Sequence, residues 1–432
     1  MYFVRCLWKG HICRDRVRMI LWKGWRLISG NEGNVSGYLK DSLMEENERF
    51  KNRGDVSMVK SSEIRNPFLL PYEFNIENME KIIGAVNESG KAFSDYLEFL
   101  EVLERTQTEM PAWVTENRVI LDLNTLKLRD FSKGGDGIYT LLVPPYSGHT
   151  STIVDFAPEQ SLVITLLENG INKVCSIDWK SATEYTKYYD IDNYLSELDI
   201  CIDELGGRVN LAGMSQSGWL IAMYAARFPN KVNTLTIAGA PIDTDAGETK
   251  IKDYANKYPM EFFDGLVAAG GGIMRGDFVL AGYKSIYPNV QYLNKYVSLY
   301  ENINKPPCIR MFEIFERWYE HTIDLPGKWY LQVVKEIFRE NRFFKGEFVG
   351  LGKKLSLGNI KCPVYLLAGE RDVLAPKEQV FNAEERLGTS KSEIVKDIAN
   401  GGHIGLVMAK VPLMENWPKI IEWIKAHSAS RL

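Results

Sequence analysis

One serine, placed where a buried strand turns into a helix, constrains this chain more than any other feature. Residues 209–240 spell VNLAGMSQSGWLIAMYAARFPNKVNTLTIAGA and are typical of a strand, a tight turn, a helix and a second strand. So sharp a turn strains its apex residue, and only small neighbours let the strand and the helix approach each other. Gly213 and Ser217 are those small neighbours, which predicts Ser215 at the apex.

The same turn predicts part of an anion site. The backbone amide of Gln216 would lie at the N-terminus of the helix, where unpaired N–H groups and the helix dipole favour negative charge. Ser215 and Gln216 then resemble a nucleophile with one oxyanion donor. An ordinary strand-to-helix loop can carry the same short pattern, so the interpretation depends on the rest of the chain.

Composition excludes several classes of protein. The 432 residues are 45% apolar and 12% aromatic, which is enough for a large core in one or two domains. A net charge of -4 provides no basic surface for nucleic acid. The six cysteines have irregular spacing and no C-x-x-C pair, which favours reduced thiols in the cytoplasm over disulfides or a metal site. We expect neither a metal nor another cofactor.

Residues 1–57 are predicted to be a basic and polar N-terminal extension. Residues 1–30 carry seven Lys or Arg against one acid, interleaved with tryptophans and aliphatic residues. No apolar run is long enough for a transmembrane segment, and no signal-peptide cleavage site follows one. Two interpretations stay open: a surface-seeking or disordered segment of the native protein, or an upstream artefact with translation beginning at Met58.

The remaining chain is predicted to form a helical segment followed by an α/β domain. Residues 58–115 show helical apolar spacing in two runs separated by Gly90 and would pack on the core. Residues 116–432 begin with a hairpin across Asn124-Thr125 and then alternate strands with helices, including one helix expected from near Asp155 to Gly170. This alternation predicts an α/β fold with a doubly wound, mostly parallel sheet. An aromatic-rich insertion at about 243–352 would cover the sheet's carboxyl edge as a helical cap.

Two residues after later strands complete a candidate catalytic set with Ser215. A serine hydroxyl needs a base to take its proton, and the base needs a carboxylate that orients it. Asp372 lies in GERDVLAP and His403 in NGGHIGL, each just after a predicted strand. The chain order Ser, Asp, His is the one that the α/β-hydrolase fold requires.

Each partner has competitors in the sequence. Glu370 or Asp397 could be the acid, and His149 or His321 could be the base. The two glycines before His403 suit a loop whose backbone approaches a site, which favours this histidine.

Further site residues are expected in the turn after the strand YTLLV and on the helix after Ser215. The amide of Tyr146, in PPYSGH, is predicted as the second oxyanion donor. Ser147 and His149 in the same turn, and Trp219 on the helix, are predicted to bind substrate.

The insertion is dense in aromatic side chains, and two interpretations stay open. Most of them would pack a small helical core, while a minority would line a cleft above Ser215 that admits an apolar chain and excludes water. Glycines between these helices would allow the cap to move. The aromatic residues are Phe262, Phe263, Tyr283, Tyr287, Tyr292, Trp318, Tyr319, Trp329 and Tyr330.

Five separated blocks resemble the intracellular polyhydroxyalkanoate depolymerases, relatives of the polyhydroxyalkanoate synthases. They are LLVPPYSGHTSTIVDF, the GMSQSG turn, TIAGAPIDT, DLPGKWYLQVVKEIF and NGGHIGL. The likeness runs from about Val119 to the C-terminus. It implies an α/β-hydrolase with a cap that cleaves short-chain polyhydroxyalkanoate, on cytoplasmic granules or as oligomers, with Ser215, Asp372 and His403 as its triad.

The sequence departs from this family at the nucleophile. Synthases, and many members of the intracellular depolymerase branch, are similar in the turn but have cysteine where this chain has Ser215. A thioester suits a growing chain that is held for transfer, whereas a serine ester is usually passed to water. We therefore expect hydrolysis. A synthase-like acyltransferase and a carboxylesterase for small soluble esters are the alternatives. A third is a catalytically idle protein that binds granules through its aromatic cap and basic N-terminus.

Overall fold

The computed structural model describes residues 93–429, so the predicted extension 1–57 and most of the predicted segment 58–115 lie outside it. The chain divides into two units. The smaller unit includes residues 287–301, which contain the π-helical turn Val290–Asn294 and the helix Lys295–Glu301. The larger unit includes residues 97–286 and everything described after residue 301, and it contains the sheet and all predicted site residues.

An eight-stranded sheet forms the centre of the larger unit. Its order is β1-β2-β4-β3-β5-β6-β7-β8, in which β2 is antiparallel to both of its neighbours and all other pairs are parallel. The fold is therefore the predicted α/β-hydrolase fold. The strands are β1 Arg118–Asp122, β2 Leu126–Asp130, β3 Tyr139–Val143, β4 Val174–Trp179, β5 Val209–Met214, β6 Val232–Ala238, β7 Val364–Gly369 and β8 Ile394–Ala399.

The central strands are buried on both faces. Every residue of β5, β6 and β7 is buried, including the polar side chains of Asn233, Thr234 and Thr236 in β6, as expected for strands covered on both faces. Along β5 the side chains of Leu211 and Ala212 belong to two different apolar clusters, because successive strand residues point to opposite faces. The sheet therefore separates two helix-covered cores and leaves its carboxyl edge for loops.

Helices cover both faces of the sheet. The helix that the sequence predicts from near Asp155 begins later than expected, at Leu162, with Ser161 as its N-cap. Buried Asp155 instead starts a short hairpin and accepts hydrogen bonds from Thr115 and Ser161 at 2.7 and 2.6 Å. The helices are Leu162–Glu168, Ile191–Glu204, Gln216–Arg227, Lys377–Phe381, Gly405–Met408, Lys410–Glu415 and Trp417–Ala429.

The insertion is helical, as predicted, and contacts the loops that leave β3 and β4. Ile323 donates to the carbonyl of Gly148 at 2.9 Å, and Ala182 donates to that of Asp324 at 2.9 Å. The cap in the larger unit contains the helices Lys250–Lys257, Met260–Ala269, Gly276–Ile286, Pro306–Glu320, Gly327–Gln332 and Arg342–Lys345, and the π-helical segment Val333–Arg339.

A helix precedes the sheet in the chain. It runs from Phe93 to Thr108, where the sequence predicts the second helical run. Its Arg105 forms an ion pair with Glu313 of the cap helix Pro306–Glu320 at 2.8 Å. Within residues 93–429, no helix combines the length and the apolar character needed to cross a membrane.

Candidate active site

Ser215 lies at the strained turn between β5 and the helix Gln216–Arg227, which we call the elbow helix. Its φ of 52° and ψ of -125° are unusual for a residue with a side chain. A Cβ on Gly213 would lie 2.6 Å from Ile221 and 2.8 Å from the carbonyl of Ser217, so this position requires glycine. The turn holds the Ser215 side chain half-buried, at the carboxyl edge of the sheet.

Ser215, His403 and Asp372 form a continuous hydrogen-bonded chain. The Oγ of Ser215 is 2.8 Å from Nε2 of His403, and Nδ1 of the same ring is 2.7 Å from Oδ2 of Asp372. The carboxylate is fully buried, and the imidazole side chain is 15% exposed. Three residues separated by up to 188 positions in the chain therefore meet in the order that proton transfer from a serine requires.

Local turns fix the orientation of Asp372. Its Oδ1 accepts the amides of Leu374 and Ala375, each at 2.9 Å, which leaves Oδ2 to face His403. Gly239, with a φ of 54°, passes close to this pair, since a Cβ there would lie 3.3 Å from the carboxylate and 2.6 Å from Leu406. Sequence analysis missed Gly239, although its place directly after β6 was a signal.

The competing acids have other partners. Asp397 accepts hydrogen bonds from Tyr365 at 3.0 Å and from Asn416 at 2.8 Å. Glu370 is exposed at the surface. Neither carboxylate contacts His403, so geometry favours Asp372 as its partner.

His149, predicted to bind substrate, is instead part of the cap's packing. It is 6% exposed, its ring stacks on Trp318 and Tyr319 with centroids 4.7 and 5.2 Å away, and Nε2 lies 3.1 Å from the Tyr319 carbonyl oxygen. Burial lowers the pKa of His149 to about 4. His321 bonds to the carbonyl of Arg317 at 2.7 Å. Neither histidine contacts Ser215.

Trp219 also lies in the core and not on a pocket wall. It is 1% exposed and stacks on Trp329 of the cap, with ring centroids 6.2 Å apart. The sequence predicts that Trp219 binds substrate because this aromatic residue lies near the nucleophile in the chain. Its packing partner, Trp329, comes from a distant segment, so the sequence near Trp219 does not reveal it. Ser217 is also buried and donates to the carbonyl of Pro144 at 2.5 Å, which ties the elbow helix to the turn after β3.

Two backbone amides near Ser215 remain unpaired within the described residues. Gln216 is the first residue of the elbow helix and has no intrahelical acceptor. The Tyr146 amide also donates to no described group, while its side chain is buried and its hydroxyl accepts from Tyr194 at 2.8 Å. Both predicted oxyanion donors are therefore available to bind an anion.

Tyr283, one of the predicted cap aromatics, lies beside the turn after β3. Its ring centroid is 6.0 Å from that of His149. Burial raises the pKa of Tyr283 above its ordinary value.

The site has no features of a metal centre within the described residues. No group of three or more His, Cys, Asp or Glu side chains is arranged to hold an ion there. None of the described cysteines is in a disulfide: Cys175, Cys201 and Cys362 are buried and Cys308 is exposed.

The chain is similar to one protein family of unknown function and to several poly(3-hydroxyalkanoate) polymerase subunits. Residues 192–404 match a family described as "Protein of unknown function (DUF3141)". The chain is 26% identical over 337 residues to the poly(3-hydroxyalkanoate) polymerase subunit PhaC of Haloferax mediterranei, covering 75% of this chain and 66% of that protein. The aligned part therefore spans just under two thirds of that relative. The protein of the same name from Haloarcula marismortui is 26% identical over 392 residues, covering 85% and 78%.

Solved structures are more distant in sequence. A thermophilic esterase from Thermogutta terrifontis is 13% identical, covers 72% of this chain and 99% of its own, and has a TM-score of 0.44. The fold assignment depends on the strand order and not on this overlap. The chain thus combines an α/β-hydrolase fold with similarity, over most of its length, to proteins named as poly(3-hydroxyalkanoate) polymerase subunits.

Proposed function

We propose that this protein is a serine ester hydrolase that cleaves poly(3-hydroxyalkanoate) or its oligomers through an acyl-serine intermediate. The observation that carries the proposal is the hydrogen-bonded chain from Ser215 through His403 to Asp372, at 2.8 and 2.7 Å. A buried, oriented carboxylate, an imidazole and a serine at a strained turn are the groups that ester hydrolysis uses.

In the acylation step, His403 takes the proton of Ser215 while Oγ attacks the ester carbonyl carbon. Asp372 holds the tautomer that leaves Nε2 free to accept this proton, and it stabilises the imidazolium that forms. The amides of Gln216 and Tyr146 would bind the developing oxyanion. The tetrahedral intermediate then expels the alcohol end of the ester, which receives the proton from His403.

In the deacylation step, water takes the place of the departed alcohol. His403 removes a proton from the water as it attacks the acyl-serine carbonyl. The second tetrahedral intermediate then expels Ser215 Oγ, which receives this proton from His403. Each cycle converts one ester bond and one water into a carboxylic acid and an alcohol. A polyester would lose one linkage per cycle.

The choice of substrate is supported by the relatives. Proteins named as poly(3-hydroxyalkanoate) polymerase subunits align with up to 85% of this chain, and the sequence blocks around the turn and the cap resemble intracellular depolymerases. A serine nucleophile favours transfer of the acyl group to water over its retention for chain growth. Association with polyester granules in the cytoplasm is part of the same proposal.

The names of the relatives support a second candidate, a synthase-like acyltransferase. That enzyme would take a 3-hydroxyacyl group from coenzyme A and transfer it to a growing chain. A carboxylesterase that acts only on small soluble esters uses the same residues and is the third candidate. The three differ in products: soluble hydroxy acids from polymer, free coenzyme A with polymer growth, or acids from small esters alone.

The test is a product assay on purified protein with three substrates. Amorphous polyhydroxybutyrate, 3-hydroxybutyryl-coenzyme A and p-nitrophenyl esters of graded length are each incubated with wild type and Ser215→Ala. Ser196→Ala, which changes an exposed serine on the helix Ile191–Glu204, is the matched control. We expect Ser215-dependent release of 3-hydroxybutyrate or its oligomers from the polymer. Coenzyme A release with chain growth and no polymer loss would establish the acyltransferase instead.

A further inference from the structure

We infer that Ser217 is a positioning residue whose hydroxyl ties the elbow helix to the turn after β3, and so sets the spacing of the two amides that would bind the oxyanion. Gln216, directly before Ser217 in the chain, carries one of these amides, and Tyr146, two residues after Pro144, carries the other. The inference rests on the proposed ester hydrolysis, because that reaction forms the oxyanion beside Ser215.

The hydrogen bond between Ser217 and Pro144 joins the two segments that carry the amides. The Ser217 side chain is buried, and its Oγ donates to the Pro144 carbonyl oxygen at 2.5 Å, the short end of the range for such bonds. The two residues are 73 positions apart in the chain. One lies on the elbow helix and the other in the turn after β3, so this contact fixes the distance between them.

The Pro144 carbonyl is held by two side chains. Trp179, the last residue of β4, donates its Nε1 hydrogen to the same oxygen at 2.7 Å. A carbonyl oxygen has two lone pairs, so Ser217 and Trp179 together use both of them. In the part of the chain that the structure describes, no backbone amide donates to this oxygen. Ser217 is therefore the donor that links the Pro144 carbonyl to the elbow helix.

The chain between Pro144 and the Tyr146 amide is stiff. The rings of Pro144 and Pro145 fix the backbone angle φ, and neither residue has an N–H group, so Tyr146 has the first amide after β3 that can donate. The Tyr146 side chain is held as well: its hydroxyl accepts from Tyr194 at 2.8 Å, and its ring packs on that of Trp329 with centroids 5.1 Å apart. The amide thus lies between two anchors, of which the Pro144 carbonyl is tied to the elbow helix.

The size of residue 217 does not explain its hydroxyl. The turn needs a small neighbour for Ser215, which glycine or alanine would also provide. A buried hydroxyl is costly unless it is hydrogen-bonded, and Ser217 has its acceptor in Pro144. The hydroxyl therefore adds a connection that an equally small apolar residue would lack.

The test compares Ser217→Ala with wild type and with Ser176→Ala. Ser176 is the matched control, because it is also buried and its hydroxyl also donates to a backbone carbonyl, that of Ile177, at 3.1 Å. We expect Ser217→Ala to lower kcat about tenfold, less than the roughly 100-fold loss of a true oxyanion donor, with KM nearly unchanged. Ser176→Ala should keep the wild-type kcat, although both variants lose a buried hydrogen bond and should unfold at lower urea concentration.

Inhibitor binding separates positioning from mere packing. A boronic acid forms a charged tetrahedral adduct with a nucleophilic serine, whereas an amide analogue of the ester stays uncharged and trigonal. Ser217→Ala should bind the boronic acid about tenfold more weakly and the amide equally well. Equal weakening for both ligands, or a wild-type kcat in this variant, would overturn the inference. A wild type that hydrolyses no ester and binds no boronic acid would overturn the proposed function itself.

Discussion

The carboxyl edge of the sheet and the cap both bring together side chains from distant parts of the chain, but different interactions fix them in place. At the sheet edge, Ser215, Asp372 and His403 each follow a strand, and backbone turns aim their side chains. At the cap, aromatic rings pack on side chains from other segments, as where His149 of the turn after β3 stacks on Trp318 and Tyr319. Backbone turns and hydrogen bonds therefore orient the side chains at the edge, whereas ring packing holds those at the cap.

The two histidines illustrate the difference. His403 has one ring nitrogen on a carboxylate and the other on a serine, and its side chain is partly exposed. His149 has a ring nitrogen on a backbone carbonyl and is almost fully buried. The same residue type thus links two polar side chains at the sheet edge and packs among aromatic rings against the cap.

The largest expected effect is at the sheet edge. Asp372→Asn should lower kcat roughly 10⁴-fold, because an amide would stabilise the wrong tautomer of His403. Asp397→Asn, at an acid that contacts Tyr365 and Asn416, is the matched control and should retain most of the activity. Steady-state kinetics on a p-nitrophenyl ester give the comparison. Equal losses in the two variants would remove the assignment of Asp372.

The next test asks whether the edge residues act as a unit. Ser215→Ala and His403→Ala should each abolish nearly all ester hydrolysis, and the double variant should be scarcely worse than either. Additive losses in the double-variant kinetics would show that His403 acts independently of Ser215. His321→Ala should leave the rate within about twofold of wild type, because the described hydrogen bond of this ring is to the Arg317 carbonyl at the end of the helix Pro306–Glu320.

The sequence predicts the sheet edge better than the cap, and the same difference in interactions explains why. The turn, the strand-helix alternation and the Ser, Asp, His order are encoded in short segments, and the eight-stranded sheet confirms the predicted fold class. The late start of the helix at Leu162 escaped prediction because buried Asp155 takes its partners from Thr115 as well as Ser161. Local spacing cannot reveal such a distant partner.

The cap was less predictable for the same reason. Helical content and aromatic packing follow from composition, but whether a given ring packs or faces the nucleophile depends on contacts across long sequence separations. The sequence predicts that Trp219 and His149 bind substrate, whereas both side chains are buried against aromatic rings of the cap.

A pH titration of stability tests the state of His149, which packs against the cap. The folded-state pKa of His149, about 4, lies below its ordinary value of 6.5, with burial as the main cause. Its contribution to the free energy of unfolding is therefore complete above about pH 6.5 and is lost as the pH falls to 4, by roughly 3 kcal/mol. Urea unfolding of wild type and His149→Phe at pH 7 and 4.5 should show the steeper loss in wild type. Parallel losses would contradict the assignment of a neutral buried ring.

The smallest effects compare glycines in the two regions. Gly218→Ala on the elbow helix would place a Cβ 2.3 Å from that of Ala240 and should lower the free energy of unfolding by about 1–3 kcal/mol. Gly282→Ala on the cap helix Gly276–Ile286 meets nothing within 4 Å and should raise it by about 0.5–1 kcal/mol. Denaturant unfolding of both variants measures the contrast. A free energy of unfolding for Gly218→Ala equal to that of wild type would mean that the elbow helix is not tightly packed against Ala240.

The central claim, that Ser215 is the nucleophile of an ester hydrolase, is tested most directly by trapping it. Wild-type protein is treated with a fluorophosphonate, digested and mapped by mass spectrometry, alongside His403→Ala. We predict one modified residue, Ser215, with loss of ester hydrolysis in proportion to labelling, and far slower labelling in His403→Ala. Labelling at Ser217 or Ser147, or full ester hydrolysis by protein modified at Ser215, would contradict the claim.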